Sequence, residues 1–157
     1  MSIAELLSAD RVIPKVEISS KKRALEYLST VIADSNQELD QNDIFVSLLG
    51  REKLGSTGLG HHVALPHGRI TTTQPAIGAF ITLAEPIEFD AIDDQPVDML
   101  FALVVPEEST SEHLMILAQL AELFRDEGFC QRLRETADQG ELLNLLTSWR
   151  TSDSSAA

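Results

Sequence analysis

Between Arg51 and Arg69 the chain reads REKLGSTGLGHHVALPHGR, a stretch that holds four glycines, a Ser-Thr pair, three of the four histidines and two arginines. Such a mixture does not make a plain helix or strand, and its residue types are those that handle anions. Gly55, Ser56, Thr57, Gly58 and Gly60 predict a loop that turns at positive φ and presents several backbone N–H groups side by side, a geometry that receives phosphate. Val63, Ala64 and Leu65 then predict a short apolar strand that ends at Pro66, which hands His67 to Gly68 at a turn and so displays it. The remaining histidine, His113, opens a distant helix.

An imidazole at the lip of an anion-receiving loop can act as general base, metal ligand or phosphoryl acceptor. A base needs a nucleophile or a carboxylate partner. The chain has no G-x-S-x-G elbow, and Glu52, the one acid in the stretch, precedes the histidines. Zinc needs ligands at a recognised spacing, and His61, His62 and His67 match neither H-E-x-x-H nor a paired-cysteine pattern. A metal reading stays open without support from spacing, and no cofactor is predicted.

Phosphoryl transfer fits the set best. One imidazole nitrogen is a good nucleophile at neutral pH while a backbone carbonyl holds the other. Arg51 clamps the arriving oxygens with its planar fork of donors. The Gly58 N–H and the Ser56 and Thr57 hydroxyls share the remaining charge, with Ser56 also suited to capping the loop backbone, because positioning and electrostatics carry most of such transfers. His113, near a helix N-terminus, adds a donor where the field favours anions. The spacing Gly55-x-x-Gly58-x-Gly60 has neither the dinucleotide-binding order nor the lysine of a nucleotide P-loop, so no nucleotide is implied.

The elements that must position these groups are legible in outline. Lys21 to Asp34, after Ser19-Ser20, places Ala24, Leu25, Leu28, Val31 and Ile32 at helical spacing. Asn42-Asp43 predicts the cap of a second helix carrying Ile44, Phe45, Leu48 and Leu49 to about Lys53, which leaves Arg51 at a helix end facing the loop. Ala76 to Ala84 alternates like a strand, bounded by Pro75 and Pro86. Ile87 to Phe89 reads as a short edge piece and Asp90 to Gln95 as an acidic turn. Val97 to Val105, VDMLFALVV, is apolar almost throughout, as a central strand covered on both faces must be.

Ser109 and Glu112 predict a capping box for a helix with a core stripe of Leu114, Leu117, Leu120, Ala121 and Phe124. Phe129 to Thr136 and Glu141 to Trp149 predict two shorter helices. Together these elements argue an α/β fold, a mixed sheet of about five strands flanked by helices. If the Val63–Leu65 strand lies beside the central strand, the loop, Arg51, His67 and His113 converge.

At 157 residues and 43% hydrophobic content the chain can close one core, so residues 1–150 are expected to form a single domain and the Ser/Ala-rich segment 151–157 a loose tail. A formal net charge of −13 opposes extended contact with nucleic acid or an anionic membrane. No apolar run approaches a membrane span, and MSIAELLSADR lacks a secretory pattern, so a cytoplasmic location is expected. Cys130 stands alone, which argues against a disulfide or a thiolate cage.

Taken as ordered blocks, SKKRALEYL, REKLGSTGLG, VALPHGR, FDAIDDQPVDMLFALVVP and SEHL resemble the IIA domains of the fructose/mannitol class of the bacterial phosphoenolpyruvate-dependent phosphotransferase system, and within them the nitrogen-regulatory IIA proteins. The resemblance implies a mixed sheet flanked by helices. It also implies that His67 is the phosphorylated histidine, fed by a small HPr-like phosphocarrier protein, with Arg51, Thr57 and His113 as matching active-site positions. The membrane and IIB modules of fused relatives are absent from this sequence. The implied role is therefore a phosphorylation-dependent regulator whose partners include transporter or sensor-kinase proteins; dimerisation stays open. In one place the chain departs from the pattern: His61-His62 stands where relatives usually carry glycine before the I/V-A-L-P-H strand, which calls for an altered loop or a new polar contact.

Overall fold

A computed structural model describes residues 2–149; the predicted tail, 151–157, lies outside the described residues. In chain order the elements are α1 (Ile3–Leu6), a 3-10 turn (Ala9–Arg11), β1 (Val12–Val16), α2 (Lys21–Ser35), α3 (Gln41–Lys53), β2 (Gly58–Gly60), β3 (Val63–Ala64), β4 (His67–Ile70), β5 (Ile77–Ile87), β6 (Val97–Pro106), α4 (Thr110–Arg125), α5 (Glu127–Glu135) and α6 (Gln139–Ser148). The strands form one mixed sheet in the order β1, β5, β6, β3, β2, with β4 also paired to β6. β6 is central: antiparallel to β5 and parallel to β3 and β4.

Its side chains alternate between two cores, as the period of a strand dictates. Met99, Phe101, Leu103 and Val105 meet α1, α4, α5 and α6 on one face, while Leu100, Ala102 and Val104 meet α2 and α3 on the other. Helices thus cover both faces, as the apolar run of β6 requires. On the first face Phe124 of α4 stacks on Phe80 of β5, with ring centroids 5.8 Å apart, and meets Phe101 edge-on at 6.3 Å. This aromatic cluster pins the C-terminal half of α4 to the sheet and so fixes where its first turn lies.

β3 and β4 lie along one edge of β6 in a single register, Ala64 opposite Leu100 and His67 opposite Leu103. Leu65-Pro66 interrupts this lane because proline has no N–H to give, but the Pro66 carbonyl still accepts from Leu103 N–H at 3.0 Å. His67 is consequently the first residue of a strand, not the corner of a turn. Gly68 follows because a Cβ there would lie 2.1 Å from Ser47 Oγ of α3.

Several local expectations are corrected. The cap of α3 is Asp40, which accepts from Asp43 N–H, rather than Asn42-Asp43. Pro86 does not end β5, which runs on to Ile87 across a register shift after Thr82; Ala84 to Pro86 are exposed there, where a missing donor costs no ladder bond. The Ser109 side chain makes no cap bond. Leu114 is 62% exposed, and the stripe that α4 buries is His113, Ile116, Leu120, Leu123 and Phe124. The N-terminal elements α1 and β1 carry no strong pattern in sequence, yet β1 completes the sheet edge parallel to β5.

Candidate functional site

His67 follows Val63 and Leu65 in the alternation of its lane, and both of those side chains face the α4 side of the sheet. Its ring therefore points at α4, where His113 sits in the first turn, the two ring centroids being 5.4 Å apart and inclined by 70°. The parallel pairing of β3 and β4 with β6 brings His67 to the loop and Arg51 on one side and to the His113 ring on the other. Arg51, at the end of α3, and His67 line one hollow of about 340 Å³ together with Ser56, Thr57, Gly58, Leu59, Leu65, Leu117, Ala118 and Ala121; His113 touches the His67 ring but is not among the lining residues. Leu117, half-buried against the core as expected, and Ala121, also half-buried, form the apolar wall of this hollow.

The two imidazoles are prepared differently. His67 Nδ1–H donates to the Leu65 carbonyl at 2.7 Å, which leaves Nε2 as the free nitrogen with its lone pair. Burial lowers the His67 pKa; the bond to Leu65 opposes this, and the nearby Arg51 charge adds to the lowering. His113 is 5% exposed, and neither ring nitrogen has a hydrogen-bond partner among the described residues. Burial, then the neighbouring His67 and Arg69, pushes its pKa down to about 4. At neutral pH His113 is a neutral ring holding one N–H and one lone pair unspent, an arrangement that costs free energy and calls for a partner.

The predicted loop donors are less free than their sequence suggests. Arg51 Nη1 donates to Gly55 O at 2.8 Å, so the guanidinium is held at the loop with its other nitrogens available. Ser56 Oγ donates to Phe89 O at 2.8 Å and accepts from Gly58 N–H at 3.0 Å. The Thr57 N–H and hydroxyl both donate to the Glu52 carboxylate. Gly58 begins β2, and a Cβ there would lie 2.7 Å from Ala91 Cβ, so its lack of a side chain serves close packing. Sequence reasoning gave Glu52 no part in this; the signal was an acid in the last turn of a helix, where the dipole disfavours it.

His61 and His62 lie outside the hollow. They are the two central residues of the tight β2–β3 hairpin, at φ of 56° and 69°, the backbone of a type I′ turn. His62 Nδ1–H donates to Pro96 O at 2.9 Å, and His61 N–H donates to Asp93 Oδ2 at 3.1 Å. Histidines at these two positions keep the turn, and the His62 ring adds a polar contact. Among the described residues no cluster of three or more His, Cys, Asp or Glu side chains is arranged to hold a metal, and no helix is long and apolar enough to cross a membrane.

Residues 5–149 match the family model described as the phosphoenolpyruvate-dependent sugar phosphotransferase system, EIIA 2. The chain is 41% identical over 148 residues to a nitrogen regulatory protein of Escherichia coli, covering 94% of this chain and 90% of that one. A nitrogen regulatory protein of Pseudomonas aeruginosa is 42% identical over 132 residues, 84% of this chain and 86% of that one. The crystal structure of nitrogen regulatory protein IIA-Ntr from Neisseria meningitidis superposes with a TM-score of 0.86 at 41% identity, covering 92% of this chain and 99% of that chain. The IIA mannitol structure from Escherichia coli, at 22% identity and a TM-score of 0.72, shares the fold. A match that runs from α1 through the sheet to the end of α6, and so takes in the whole hollow around His67, leaves one conclusion: the chain belongs to the EIIA 2 family of the phosphoenolpyruvate-dependent phosphotransferase system.

Proposed function

We propose that this chain is a phosphohistidine carrier that accepts a phosphoryl group on His67 Nε2 from a histidine of an HPr-like phosphocarrier protein and signals its phosphorylation state to partner proteins. The observation that carries the reading is the pairing of an oriented imidazole with a buried, unpartnered one. His67 Nδ1 is committed to Leu65 O, and His113 lies 5.4 Å away with both ring nitrogens unspent.

In the transfer, the Nε2 lone pair of His67 attacks phosphorus, the P–N bond to the carrier's histidine breaks, and that nitrogen keeps the bonding electron pair. The Nδ1–H of His67 stays on Leu65 O and spreads the positive charge that develops on the ring. Arg51 meets the phosphoryl oxygens with the guanidinium nitrogens not used on Gly55, and the neutral N–H of His113 donates to another oxygen, a bond available only once PO₃ has arrived. Ser56, Thr57 and Gly58 form the floor; with their donors engaged internally, they act chiefly by shaping it.

Phosphorylation places about −1.5 to −2 charges on a hollow whose lining includes the exposed apolar side chain Leu59, which is enough to make or break a docked complex. The partners, as the sequence resemblance implies, are transporter or sensor-kinase proteins met in the cytoplasm. Incubation with phosphoenolpyruvate, the first enzyme of the relay and its HPr-like carrier tests the proposal. Acid-labile, alkali-stable phosphate is expected in the wild type and none in His67→Ala. Label that persists in His67→Ala removes His67 from the role, and absence of label in the wild type leaves a binding module of the same fold.

A further inference from the structure

Among the described residues Glu52 is the one buried carboxylate. Its Oε2 lies 2.8 Å from Nζ of Lys21, the first residue of α2. Each charge sits at the helix end that opposes it, the cation at the N-terminus of α2 and the anion in the last turn of α3. Neither helix gains from its own charged residue, and a desolvated ion pair is weak as a source of stability. What the pair does offer is direction, because apart from the exposed Asp90, 3.8 Å from Lys21 Nζ, its partners are tied to the hollow.

Lys21 Nζ also donates to the Phe89 carbonyl at 3.2 Å and lies 4.7 Å above the Phe89 ring; the same carbonyl accepts from Ser56 Oγ. Glu52 accepts from Thr57 N–H at 3.1 Å and from the Thr57 hydroxyl. The Thr57 carbonyl accepts from Leu65 N–H at 3.0 Å, and the Leu65 carbonyl accepts from His67 Nδ1–H at 2.7 Å. An unbroken path of polar contacts therefore runs from Lys21 through Glu52, Thr57 and Leu65 to the nitrogen that sets the His67 tautomer. A branch through the same loop reaches Gly55, whose carbonyl holds Arg51.

We infer that Lys21 and Glu52 are positioning residues of the His67 site: the ion pair of the half-buried Lys21 with the buried Glu52 locks the Ser56–Thr57 segment so that Leu65 holds His67 in its Nδ1–H form and Gly55 holds the Arg51 fork in place. Only the rate measurement below rests on the phosphoryl-acceptor reading; the tautomer measurement does not.

The test compares wild type, Lys21→Met, Glu52→Gln and Lys21→Arg. Nitrogen-15 NMR of the unphosphorylated His67 ring is expected to show the Nδ1–H tautomer dominant in wild type and a mixture in Lys21→Met and Glu52→Gln. Phosphorylation by the carrier slows roughly tenfold to a hundredfold in both, in kcat more than in KM, as a displaced reacting group predicts. Lys21→Arg, which restores the charge, recovers the tautomer and at least part of the rate. Wild-type tautomer and rate in folded Lys21→Met and Glu52→Gln overturn the inference. If Lys21→Met does not fold, Glu52→Gln, which keeps an oxygen for Thr57, decides. Failure of all three variants to fold assigns the pair to stability alone and overturns the inference too. A wild type that takes no phosphate defeats the proposed function while the tautomer comparison still decides the positioning role.

Discussion

The four histidines form two pairs that teach opposite lessons. His61 and His62 are adjacent in sequence and sit at a hairpin tip, the His62 ring bonded to Pro96 O and the exposed His61 ring 3.6 Å from Glu127 Oε1. His67 and His113 come from a sheet edge and a helix start, and they meet under cover with nitrogen atoms to spare. Proximity along the chain produced a turn, whereas convergence across the sheet brought two imidazoles together. The expected experimental differences between the pairs follow from that contrast.

The largest is loss of phosphate acceptance. His67→Ala should abolish labelling by the phosphoenolpyruvate relay, whereas a His61→Ala, His62→Ala double variant should label at the wild-type rate; a slow double variant would break the comparison. Next, His113→Ala should keep the labelled position at His67 but slow the transfer about 10²–10³-fold, the cost of removing one preorganised donor to developing charge. Rapid-quench labelling measures it.

His113 should also write itself into acid stability. Its folded pKa of about 4 lies below the ordinary 6.5, so the unfolded chain binds its proton first and stability falls as pH drops from 6.5 towards 4. The loss is about 3 kcal/mol over that window and flattens below it. The lowered pKa of His67 acts in the same direction. Denaturation across this range should show His113→Leu to be less acid-sensitive than wild type, and no less stable at pH 7, since it removes two unpaired buried nitrogens.

A smaller effect is expected at the guanidinium. Arg51→Lys retains charge but not the fork that serves Gly55 and phosphate together, and should slow transfer about tenfold in the same assay. Smallest is the hairpin. Replacing His61-His62 by Asn-Gly relieves two left-handed backbones while losing the bond to Pro96, for a net gain of about 1 kcal/mol in chemical denaturation.

Much of this architecture was legible wherever one period or one residue type dominated. The apolar run Val97–Val105 announced a strand covered on both faces, and α2 announced itself through its stripe and Ser20 cap. Elements escaped where short-range signals conflict with long-range pairing. Pro86 reads as a stop, yet β5 passes through it because the exposed bulge asks no donor of it. Leu114 reads as core, yet α4 turns His113 inward because the Phe80–Phe101–Phe124 cluster fixes its rotation. At the site, the residue types and the glycine-rich loop were readable, but the commitment of Ser56 and Thr57 to internal partners was not, since Phe89 and the buried Glu52 supply it from outside the loop.

By itself the sequence determined the inventory: a histidine after a proline, an arginine at a helix end, a glycine-rich stretch and enough apolar period to build two helical layers on a sheet. Those are properties of residue type and spacing, which local sterics and burial fix along one stretch of chain. Which imidazoles meet, which nitrogen is free and which donors are already spent were decided only by tertiary structure. Strand order and face alternation bring together groups with no neighbourhood in sequence, and desolvation then sets their protonation.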